Sequence, residues 1–463
     1  MFAACSTPAG ISGIAVIRIS GNGCIEILDD LIRPVRGAHG AGSLKELGGY
    51  ESLYGVIKDP ANDEAIDDVV VTVYRAPHSY TGEDMAEISC HGSIAVKQEI
   101  LRLLISCGIE PAGPGQFSKT AFINGKMTLD RAEAVMDVIN SDSQKALSAG
   151  RTIMSGALAR RMESLESCLY EAMALIEMMV EFPEHDDTED NAEHLMELMT
   201  SARDGLKALS DSYGQGRLLS ERVRIALVGI PNSGKSTLLN ALTGSDKSIV
   251  TDIPGTTRDA IESNLQVRGI PVTLIDTAGI TATDDEVEKI GVEKARALFS
   301  ESDMAFILIP PDMTLEETKT RLDIPSSEVY KVLLFSKSDI SQNPEEEAII
   351  EYAKSLGVED IIRVSGKTFS NIGQMEDAIE RFYESRGAEG SEGLLITNGR
   401  HMALITRALK YVDMAIDAQR SGMGEETASS ALRAALDETG QITGKTVSQD
   451  LADTIFGRFC IGK

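Results

Sequence analysis

The stretch GIPNSGKST at positions 229–237 has the residue types and the spacing of a phosphate-binding loop. It meets the pattern G-x-x-x-x-G-K-[ST] at Gly229, Gly234, Lys235 and Ser236. Such glycines let backbone N–H groups turn toward phosphate oxygens, the lysine reaches the β- and γ-phosphates, and the hydroxyl ligates magnesium. A helix N-terminus below the loop adds a favourable dipole. The residues predicted to contact the nucleotide here are Asn232, Ser233, Gly234, Lys235, Ser236 and Thr237.

Two companion motifs follow in the order that a GTPase requires. In TDIPGTTRD, Thr257 can supply a second magnesium ligand that senses the γ-phosphate. In DTAG, Asp276 lies at a strand end facing the magnesium, and the Gly279 N–H faces the γ-phosphate. A phosphate loop kept only for structure would not require all these residues. The switch residues predicted to contact GTP are Thr251, Asp252, Ile253, Pro254, Gly255, Thr256, Thr257, Asp276, Thr277, Ala278 and Gly279.

Base selection is predicted from the stretch LLFSKSD. Guanine is usually read there by an Asn-Lys-x-Asp motif, and this chain has Ser336, Lys337 and Asp339 instead. The Asp339 carboxylate can accept charge-assisted hydrogen bonds from guanine N1–H and N2–H₂, which adenine cannot donate. Because of Asp339, we expect GTP to be preferred over ATP. Ser336 is too short to do all that Asn does, so we expect the affinity for GTP to be reduced. A second loop, predicted to meet guanine O6 through a backbone N–H, contains Ser365, Gly366 and Lys367.

The hydrolytic step lacks one familiar residue. GTPases of the Ras type orient the attacking water with a Gln directly after Asp-x-x-Gly, and here that position is Ile280. The water must therefore be positioned from elsewhere, and a bound cation can replace the charge of an arginine finger. The following stretch TATDDEVEKIGVEKA offers several carboxylates, and the residues alone do not choose among them.

Composition bounds the function. The 463-residue chain has a net charge of -28, which counts against a solitary nucleic-acid binder. The six cysteines form no C-x-x-C pair, so they predict a reducing compartment, the cytoplasm by default, without a disulfide framework or a zinc site. No apolar run approaches the length of a membrane span. The C-terminal sequence RFCIGK does not fit a prenylation signal, because Gly462 and Lys463 break the pattern.

The elements that must position these residues predict a multidomain chain of α+β and α/β classes. Residues 1–118 predict an α+β unit with strands in GIAVIRIS and DDVVVTVYRAP and a helix in SIAVKQEILRLLIS. Residues 119–216 have the apolar spacing of long helices, such as LDRAEAVMDVINSDSQKALSAG. Residues 217–383 alternate strand and helix, which is typical of a doubly wound sheet. Because residues 384–463 return to helix, the GTPase domain is predicted to be inserted into a helical domain.

Motifs outside the GTPase region carry a family resemblance. They are TPAGISGIAVIRISG, APHSYTGEDMAEISCHG, PGQFSKTAFINGKMTLDRAEAVMDVI, TNGRH and ITGKTVSQDLADTIFGRFCIGK. With the nucleotide motifs they resemble the tRNA uridine modification GTPases of the MnmE (TrmE) family over nearly the whole chain. The resemblance implies an N-terminal domain that binds tetrahydrofolate and forms a homodimer. It also implies a split helical domain and GTP hydrolysis accelerated when two GTPase domains pair around potassium.

The resemblance further implies partners and a reaction. The partner is the FAD-containing protein MnmG (GidA), in a heterotetramer or larger assembly, with tRNA held mainly through that partner. Together such proteins install an aminomethyl or carboxymethylaminomethyl group at carbon 5 of the wobble uridine. The one-carbon unit would come from 5,10-methylene- or 5-formyl-tetrahydrofolate. No membrane is implied.

Site residues carry over from the family position by position. The resemblance implies Glu288 as the water-positioning residue, which acts in catalysis with Lys235, and Ser236 and Thr257 as magnesium ligands. The implied potassium ligands are Asn232, Thr251, Ile253 and Thr256. The implied folate contacts are Arg18, Glu87, Lys126 and Lys463, so that the C-terminal tail would reach a folate pocket rather than a membrane. Without the family, Arg18, Glu87, Lys126 and Glu288 would be read as ordinary surface charges.

The chain departs from the family pattern at Ser336, at Gln116 and Ser118 in PGQFS, and at Thr281 after DTAG. None of these removes a phosphate, magnesium or proposed water-positioning residue, so activity is expected to survive.

Cys90 and His91 are adjacent and are predicted to point to opposite faces of a strand, which favours a structural role over a nucleophile and base pair.

The residues alone are also compatible with two other functions. One is a regulatory RNA-associated GTPase that switches without modification chemistry. The other is an independent folate enzyme of one-carbon transfer with an appended GTPase. The N-terminal third argues against the regulatory GTPase, because a pure switch has no need of a folate pocket. The excess of acidic residues also disfavours direct docking of RNA.

Overall fold

The computed structural model describes residues 1–35, 42–181, 188–243, 261–276, 299, 301–322, 329–387, 393–421 and 424–463. At positions 188, 189, 261, 276, 386 and 387 only the backbone is described. The described chain divides into two compact units. Unit 1 contains Met1–Met136, Thr152–Asp204 and Arg407–Lys463, and unit 2 contains Asp137–Arg151 and Gly205–Thr406. The division into four parts at 118, 216 and 383 stays a prediction.

The described residues form two sheets. The strands are β1 Phe2–Cys5, β2 Ile14–Ser20, β3 Ile32–Pro34, β4 Glu51–Asp59, β5 Glu64–Tyr74, β6 Met85–His91, β7 Glu110–Pro111, β8 Val223–Val228, β9 Ile261–Val267, β10 Ile270–Asp276, β11 Met304–Ile309, β12 Tyr330–Phe335 and β13 Val358–Arg363. Strands β1 to β7 belong to unit 1, and strands β8 to β13 belong to unit 2.

Besides a short 3₁₀ helix at Leu44–Glu46, the described residues form α-helices. They are α1 Cys24–Leu31, α2 Ile94–Ser106, α3 Gln116–Ile123, α4 Leu129–Ile139, α5 Gln144–Met154, α6 Ala157–Glu181, α7 Thr188–Ser220, α8 Lys235–Thr243, α9 Leu315–Arg321, α10 Glu346–Ser355, α11 Ile372–Gly387, α12 Gly399–Ser421, α13 Glu425–Thr443 and α14 Gln449–Phe456. No helix in the described ranges is both long enough and apolar enough to cross a membrane.

The unit 1 sheet has the order β3-β4-β5-β6-β2-β1-β7 and is antiparallel except for the β1 and β7 pair. Its strands alternate, as β2 shows: Ala15, Ile17 and Ile19 are buried, whereas Arg18 points to the other face. Apolar residues of α1 and α2 join the buried face in one core. The α+β expectation for this region is confirmed, and the opposite face is left to display Arg18.

One predicted helical run is interrupted. The apolar spacing of residues 129–150 predicts one continuous helix, and the structure instead forms α4 and α5 with a break at 140–143. The break has the sequence NSDS, whose short polar side chains compete for backbone hydrogen bonds and favour helix ends. The Ser143 hydroxyl accepts from the Ala146 N–H at 3.1 Å and so caps the new helix.

The unit 2 sheet has the order β13-β12-β11-β8-β10-β9. All pairs are parallel except β9 with β10, which is antiparallel. Strand β11 is buried at every position, as a central strand covered on both faces should be. The doubly wound expectation is confirmed. The edge strand β9 was not predicted, although Leu265 and Val267 are buried and alternate with polar residues.

Candidate functional site

The phosphate-binding loop joins the end of β8 to the start of α8. Asn232 and Gly234 have φ values of +62° and +100°, on either side of Ser233. Left-handed residues in such a run turn successive backbone N–H groups toward one side, which makes a concave anion site. The N-terminus of α8 adds the positive end of the helix dipole. The loop therefore has the backbone shape that binds phosphates.

Lys235 is nearly buried within this loop. Its ammonium donates to the Gly229 carbonyl oxygen at 2.5 Å and to the Ile230 carbonyl oxygen at 3.0 Å. These carbonyl groups hold the Lys235 side chain across the loop. A side chain extended into solvent would place its charge away from a bound phosphate. Ser236 and Thr237, which follow in α8, are exposed.

The base end of the site is a cavity of about 210 Å³ beside the phosphate loop. It is lined by Gly234, Thr237, Leu238, Ser336, Lys337, Asp339, Ile340, Val364, Ser365, Gly366 and Lys367. The structure thus brings both predicted base-recognition loops and the phosphate loop to one cavity. This grouping follows from the parallel order of β8, β11, β12 and β13, whose carboxyl ends share one sheet edge.

Asp339 is held for base recognition by the second loop. Its Oδ1 accepts from the Ser365 hydroxyl at 2.6 Å, and that hydroxyl in turn accepts from the Thr368 N–H at 3.2 Å. The Ser365 hydrogen bond lowers the pKa of the Asp339 carboxyl below its usual value. Asp339 is therefore a carboxylate at neutral pH, which is the form that accepts from guanine.

Ser336 links the base end to the phosphate loop. Its side chain is buried, and its hydroxyl donates to the Ser233 carbonyl oxygen at 2.7 Å. The Ser336 N–H donates to the Ile309 carbonyl oxygen at 2.9 Å, which anchors the residue to the end of β11. The Ser233 hydroxyl is buried with no hydrogen-bond partner among the described residues. Ser336 therefore positions the loop backbone.

The switch motifs lie largely outside the described residues. This holds for Thr251, Asp252, Ile253, Pro254, Gly255, Thr256, Thr257, Thr277, Ala278, Gly279 and Glu288. The backbone of Asp276 is described: it ends β10, and its Cα pairs with that of Leu227 on β8. That position fulfils the expectation that Asp276 stands at a strand end, and nothing is concluded about its side chain.

A second group of predicted residues meets in unit 1. Arg18 on β2 donates to Glu87 Oε1 on β6 from Nε at 2.9 Å and from a terminal nitrogen at 2.7 Å. The Tyr74 hydroxyl donates to Glu87 Oε2 at 3.1 Å. The Arg18 guanidinium also lies 5.4 Å from the Tyr80 ring centroid and 5.6 Å from that of Phe117. Arg18 and Glu87 are thus a partly buried pair.

The C-terminal tail docks onto this pair. The Gly462 carbonyl oxygen accepts from Arg18 at 3.3 Å and from the Ser6 hydroxyl at 3.1 Å. The Lys463 carbonyl oxygen accepts from the Phe117 N–H at 3.2 Å. Burial, followed by the Arg18 charge, lowers the pKa of the Lys463 ammonium. Lys463 therefore lies beside Arg18 and Glu87, two of the residues that the family resemblance groups with it, and its role as a folate contact stays a prediction.

Lys126 takes a different position in unit 1. Its ammonium donates to the Pro77 carbonyl oxygen at 2.8 Å, and its side chain packs beside Gly82. It therefore contacts the loop between β5 and β6, which also carries Tyr80. Among the described residues, no hydrogen bond joins Lys126 to Arg18, Glu87 or Lys463.

Cys90 and His91 do point to opposite faces of β6. Cys90 is buried, and burial raises its thiol pKa to about 11. His91 is exposed, and its Nδ1 lies 2.7 Å from Asp67 Oδ1. A buried thiol with a raised pKa is a poor nucleophile, so the structural interpretation of this pair is confirmed.

Sequence reasoning did not assign Tyr74, Tyr80 or Ser6 to the unit 1 group. Tyr80 lies in the motif APHSYTGEDMAEISCHG, but the motif alone does not predict its contact with Arg18. Tyr74 lies on the same sheet face as Glu87, and period-two alternation could have placed it there. Ser6 meets Gly462 only because distant chain segments come together.

The residues present at the two sites fit the groups that the family resemblance implies. Ser236 and Asn232 are exposed beside the phosphate loop and offer oxygen ligands, which magnesium and potassium prefer. In unit 1, donors and acceptors from Arg18, Glu87 and Lys463 stand near two aromatic rings. Such a set suits a ligand that combines a flat polar ring with carboxylates, as folates do.

Comparisons with known proteins agree with this arrangement. A family model described as MnmE helical domain matches residues 129–460, and one described as GTP-binding protein TrmE N-terminus matches residues 1–126. The tRNA modification GTPase MnmE of Acetivibrio thermocellus is 37% identical over 461 residues, covering 100% of this chain and 98% of that protein. The corresponding protein of Geobacillus thermodenitrificans is 36% identical over 462 residues, with the same coverage of 100% and 98%.

A solved structure, the G domain of the T. maritima FeoB iron transporter, is 25% identical and covers 35% of this chain and 99% of that chain. The TM-score of this match is 0.25. The family models and the full-length relatives span both the N-terminal region and the nucleotide motifs. This chain belongs to the MnmE family of tRNA modification GTPases.

Proposed function

We propose that this chain is a potassium-dependent GTPase that modifies carbon 5 of the wobble uridine of certain tRNAs. The group added would be aminomethyl or carboxymethylaminomethyl, and the one-carbon unit would come from a tetrahydrofolate derivative. The observation that carries the proposal is the phosphate loop, with left-handed Asn232 and Gly234 and the enclosed Lys235, in a chain of this family.

The chain's own residues bind and orient GTP. Backbone N–H groups of the phosphate loop hold the phosphate oxygens, and Lys235 places a positive charge beside the β- and γ-phosphates. Asp339, held by Ser365, accepts from the guanine edge. Because these groups are fixed before the nucleotide arrives, little reorganisation is needed when charge shifts during hydrolysis.

Metal ions complete the phosphate end. Ser236 and Thr257 would hold magnesium, and Asn232 with Thr251, Ile253 and Thr256 would hold potassium. The cations would neutralise the charge that develops on the phosphates. Glu288 would orient the attacking water. It would take over the task of the Gln that Ras-type GTPases have at the position of Ile280.

The one-carbon cofactor would bind in unit 1. Arg18, Glu87 and Lys463 would hold a 5,10-methylene- or 5-formyl-tetrahydrofolate, with Lys126 contacting it from the loop between β5 and β6. Arg18 would attract the carboxylates of the cofactor, and Glu87 would accept from its amino groups. When bound, the cofactor would supply the carbon that joins the uridine.

The working assembly is a homodimer joined by the FAD-containing partner MnmG (GidA) in a heterotetramer or larger complex. With a net charge of -28, this chain is poorly suited to hold tRNA alone, so tRNA would bind mainly through that partner. We assign this assembly to the cytoplasm.

Reconstitution tests the proposal. The purified chain, the FAD-containing partner, unmodified tRNA, GTP and labelled 5,10-methylene-tetrahydrofolate would be combined, and the digested nucleosides analysed by mass spectrometry. We expect label at carbon 5 of the wobble uridine only when GTP and both proteins are present. Steady GTP hydrolysis without labelled uridine would refute the modification chemistry and favour the regulatory switch.

A further inference from the structure

At the base end of the nucleotide cavity, the Ser336 hydroxyl has no hydrogen left to donate to a base. The Ser336 hydroxyl lies 2.7 Å from the Ser233 carbonyl oxygen and 3.4 Å from the Ile309 carbonyl oxygen. Carbonyl oxygens only accept, and a serine hydroxyl has one hydrogen to donate. The shorter contact takes that hydrogen, so Ser336 presents only lone pairs to a base in the cavity.

Burial keeps this hydrogen in place. Ser336 is only 6% exposed, and its N–H is also committed to the Ile309 carbonyl oxygen at 2.9 Å. Turning the hydroxyl toward a base would leave the Ser233 carbonyl without this donor, which is costly for a buried polar group. The hydrogen is therefore retained by the phosphate loop.

Guanine has two edges that a protein can read. One edge carries the N1–H and N2–H₂ donors, and the other carries the N7 acceptor next to O6. Asp339 can accept from the donors of the first edge, because its carboxylate is held by Ser365. An acceptor such as N7 needs a donor, and Ser336 has none to offer.

We infer that this site distinguishes guanine from adenine at the N1 and N2 edge, through Asp339, and that Ser336 offers N7 no hydrogen bond because its hydroxyl hydrogen is committed to the Ser233 carbonyl oxygen. Nucleotides with altered N7 are thus ligands of this chain. The inference deepens the proposed function and rests on it, since it assumes that guanine enters the cavity beside Ser336 and Asp339.

Equilibrium binding of four diphosphates to the full-length chain tests the inference. The ligands are GDP, 7-deaza-GDP, in which N7 is replaced by C–H, IDP, which lacks the N2 amino group, and ADP. We expect 7-deaza-GDP to bind within about twofold of GDP, because no hydrogen bond is lost. IDP should bind roughly tenfold or more weakly, since a charge-assisted hydrogen bond to Asp339 is lost.

Ser336→Asn supplies a matched gain of function. An amide has two hydrogens, so it can bond both the Ser233 carbonyl and N7. In that variant 7-deaza-GDP should bind about 3- to 10-fold more weakly than GDP, which is the usual net effect of one hydrogen bond. Ser338→Asn, an exposed change on the same loop, should leave the two ligands equal.

The outcomes separate the inference from the proposed function. Tenfold weaker binding of 7-deaza-GDP than of GDP to the unaltered chain, with ADP excluded, would overturn the inference and leave the GTPase intact. ADP binding as tightly as GDP would overturn guanine selection itself. Because the unaltered chain gives the decisive ratio, failure of the Asn variant to fold does not rescue the inference.

Discussion

The nucleotide cavity of unit 2 and the Arg18 group of unit 1 are built in different ways. The phosphate loop uses backbone N–H groups from one continuous stretch between β8 and α8. The Arg18 group uses side chains and a chain end: Arg18 pairs with Glu87, 69 positions away, and with Gly462, 444 positions away. A site made of local backbone is recognisable from a motif, whereas one made of distant side chains requires the fold.

The two sites also differ in charge design. The phosphate loop gathers partial positive charges and Lys235, which prepares it for an anion. The Arg18 guanidinium is already paired with Glu87 and contacts a tail carbonyl. A ligand there must compete with a carboxylate for the guanidinium, whereas GTP must share the Lys235 ammonium with the neutral carbonyl groups of Gly229 and Ile230. Changes at either site should therefore affect one activity and spare the other.

The largest expected effect comes from Lys235→Ala. Loss of the charge beside the phosphates should lower GTP hydrolysis by at least about 100-fold, as removal of one transition-state donor typically does. Folate binding by unit 1 should not change. Steady-state hydrolysis and a folate binding titration would be measured together, with Lys207→Ala, an exposed lysine on α7, as the control. A parallel loss of folate binding would break the separation of the two sites.

Asp339→Asn should come next. Asn keeps the size of the side chain but replaces a carboxylate with a neutral amide that is also a donor. The preference for GTP over ATP should fall by about 10- to 100-fold, because the charge-assisted hydrogen bonds to guanine are lost. Competition binding with both nucleotides measures the ratio. An unchanged ratio would show that base selection depends on other groups.

Gly462→Ala probes the tail contact of unit 1. Gly462 has a φ of +92°, and an added Cβ would lie 2.7 Å from Ser6 Cα. The change should release the tail and weaken folate binding by about tenfold, given the usual cost of such strain. GTP hydrolysis should remain normal. Gly13→Ala, where an added Cβ meets nothing within 4 Å, is the control, and equal folate binding in both variants would exclude a tail role.

The smallest expected effect lies outside both sites, at His91. Its hydrogen bond with Asp67 raises the His91 pKa above the usual 6.5. The folded chain thus holds this proton more tightly than the unfolded chain, so the stabilisation is complete below pH 6.5 and is lost as the pH rises through the raised pKa.

Melting curves of the unaltered chain and His91→Gln at pH 5.5 and pH 8.5 measure this effect. The unaltered chain should have the higher Tm at the lower pH, by roughly 1 °C, because exposed pairs contribute little. At the higher pH the two curves should coincide. A similar difference at both values would mean that the pair stabilises the fold without titrating.

The nucleotide cavity of unit 2 could be predicted from the sequence to a greater extent than the Arg18 group of unit 1. The doubly wound sheet, the phosphate loop and the grouping of Asp339 with Ser365 follow from short motifs and strand order. The break between α4 and α5 was missed because the apolar spacing continues across residues 140–143. The Arg18, Glu87 and Lys463 group came only from the family resemblance, since no local pattern brings a chain end to β2. The tether from Ser336 to the Ser233 carbonyl required side-chain positions.

The measurement that tests the account most directly is hydrolysis of GTP and ATP by the purified chain in potassium chloride and in matched sodium chloride. We predict GTP turnover that is stimulated by potassium, with ATP a poor substrate. Turnover that is equal in the two salts, or equal for the two nucleotides, would contradict the assignment of a guanine-selective, cation-dependent site to unit 2.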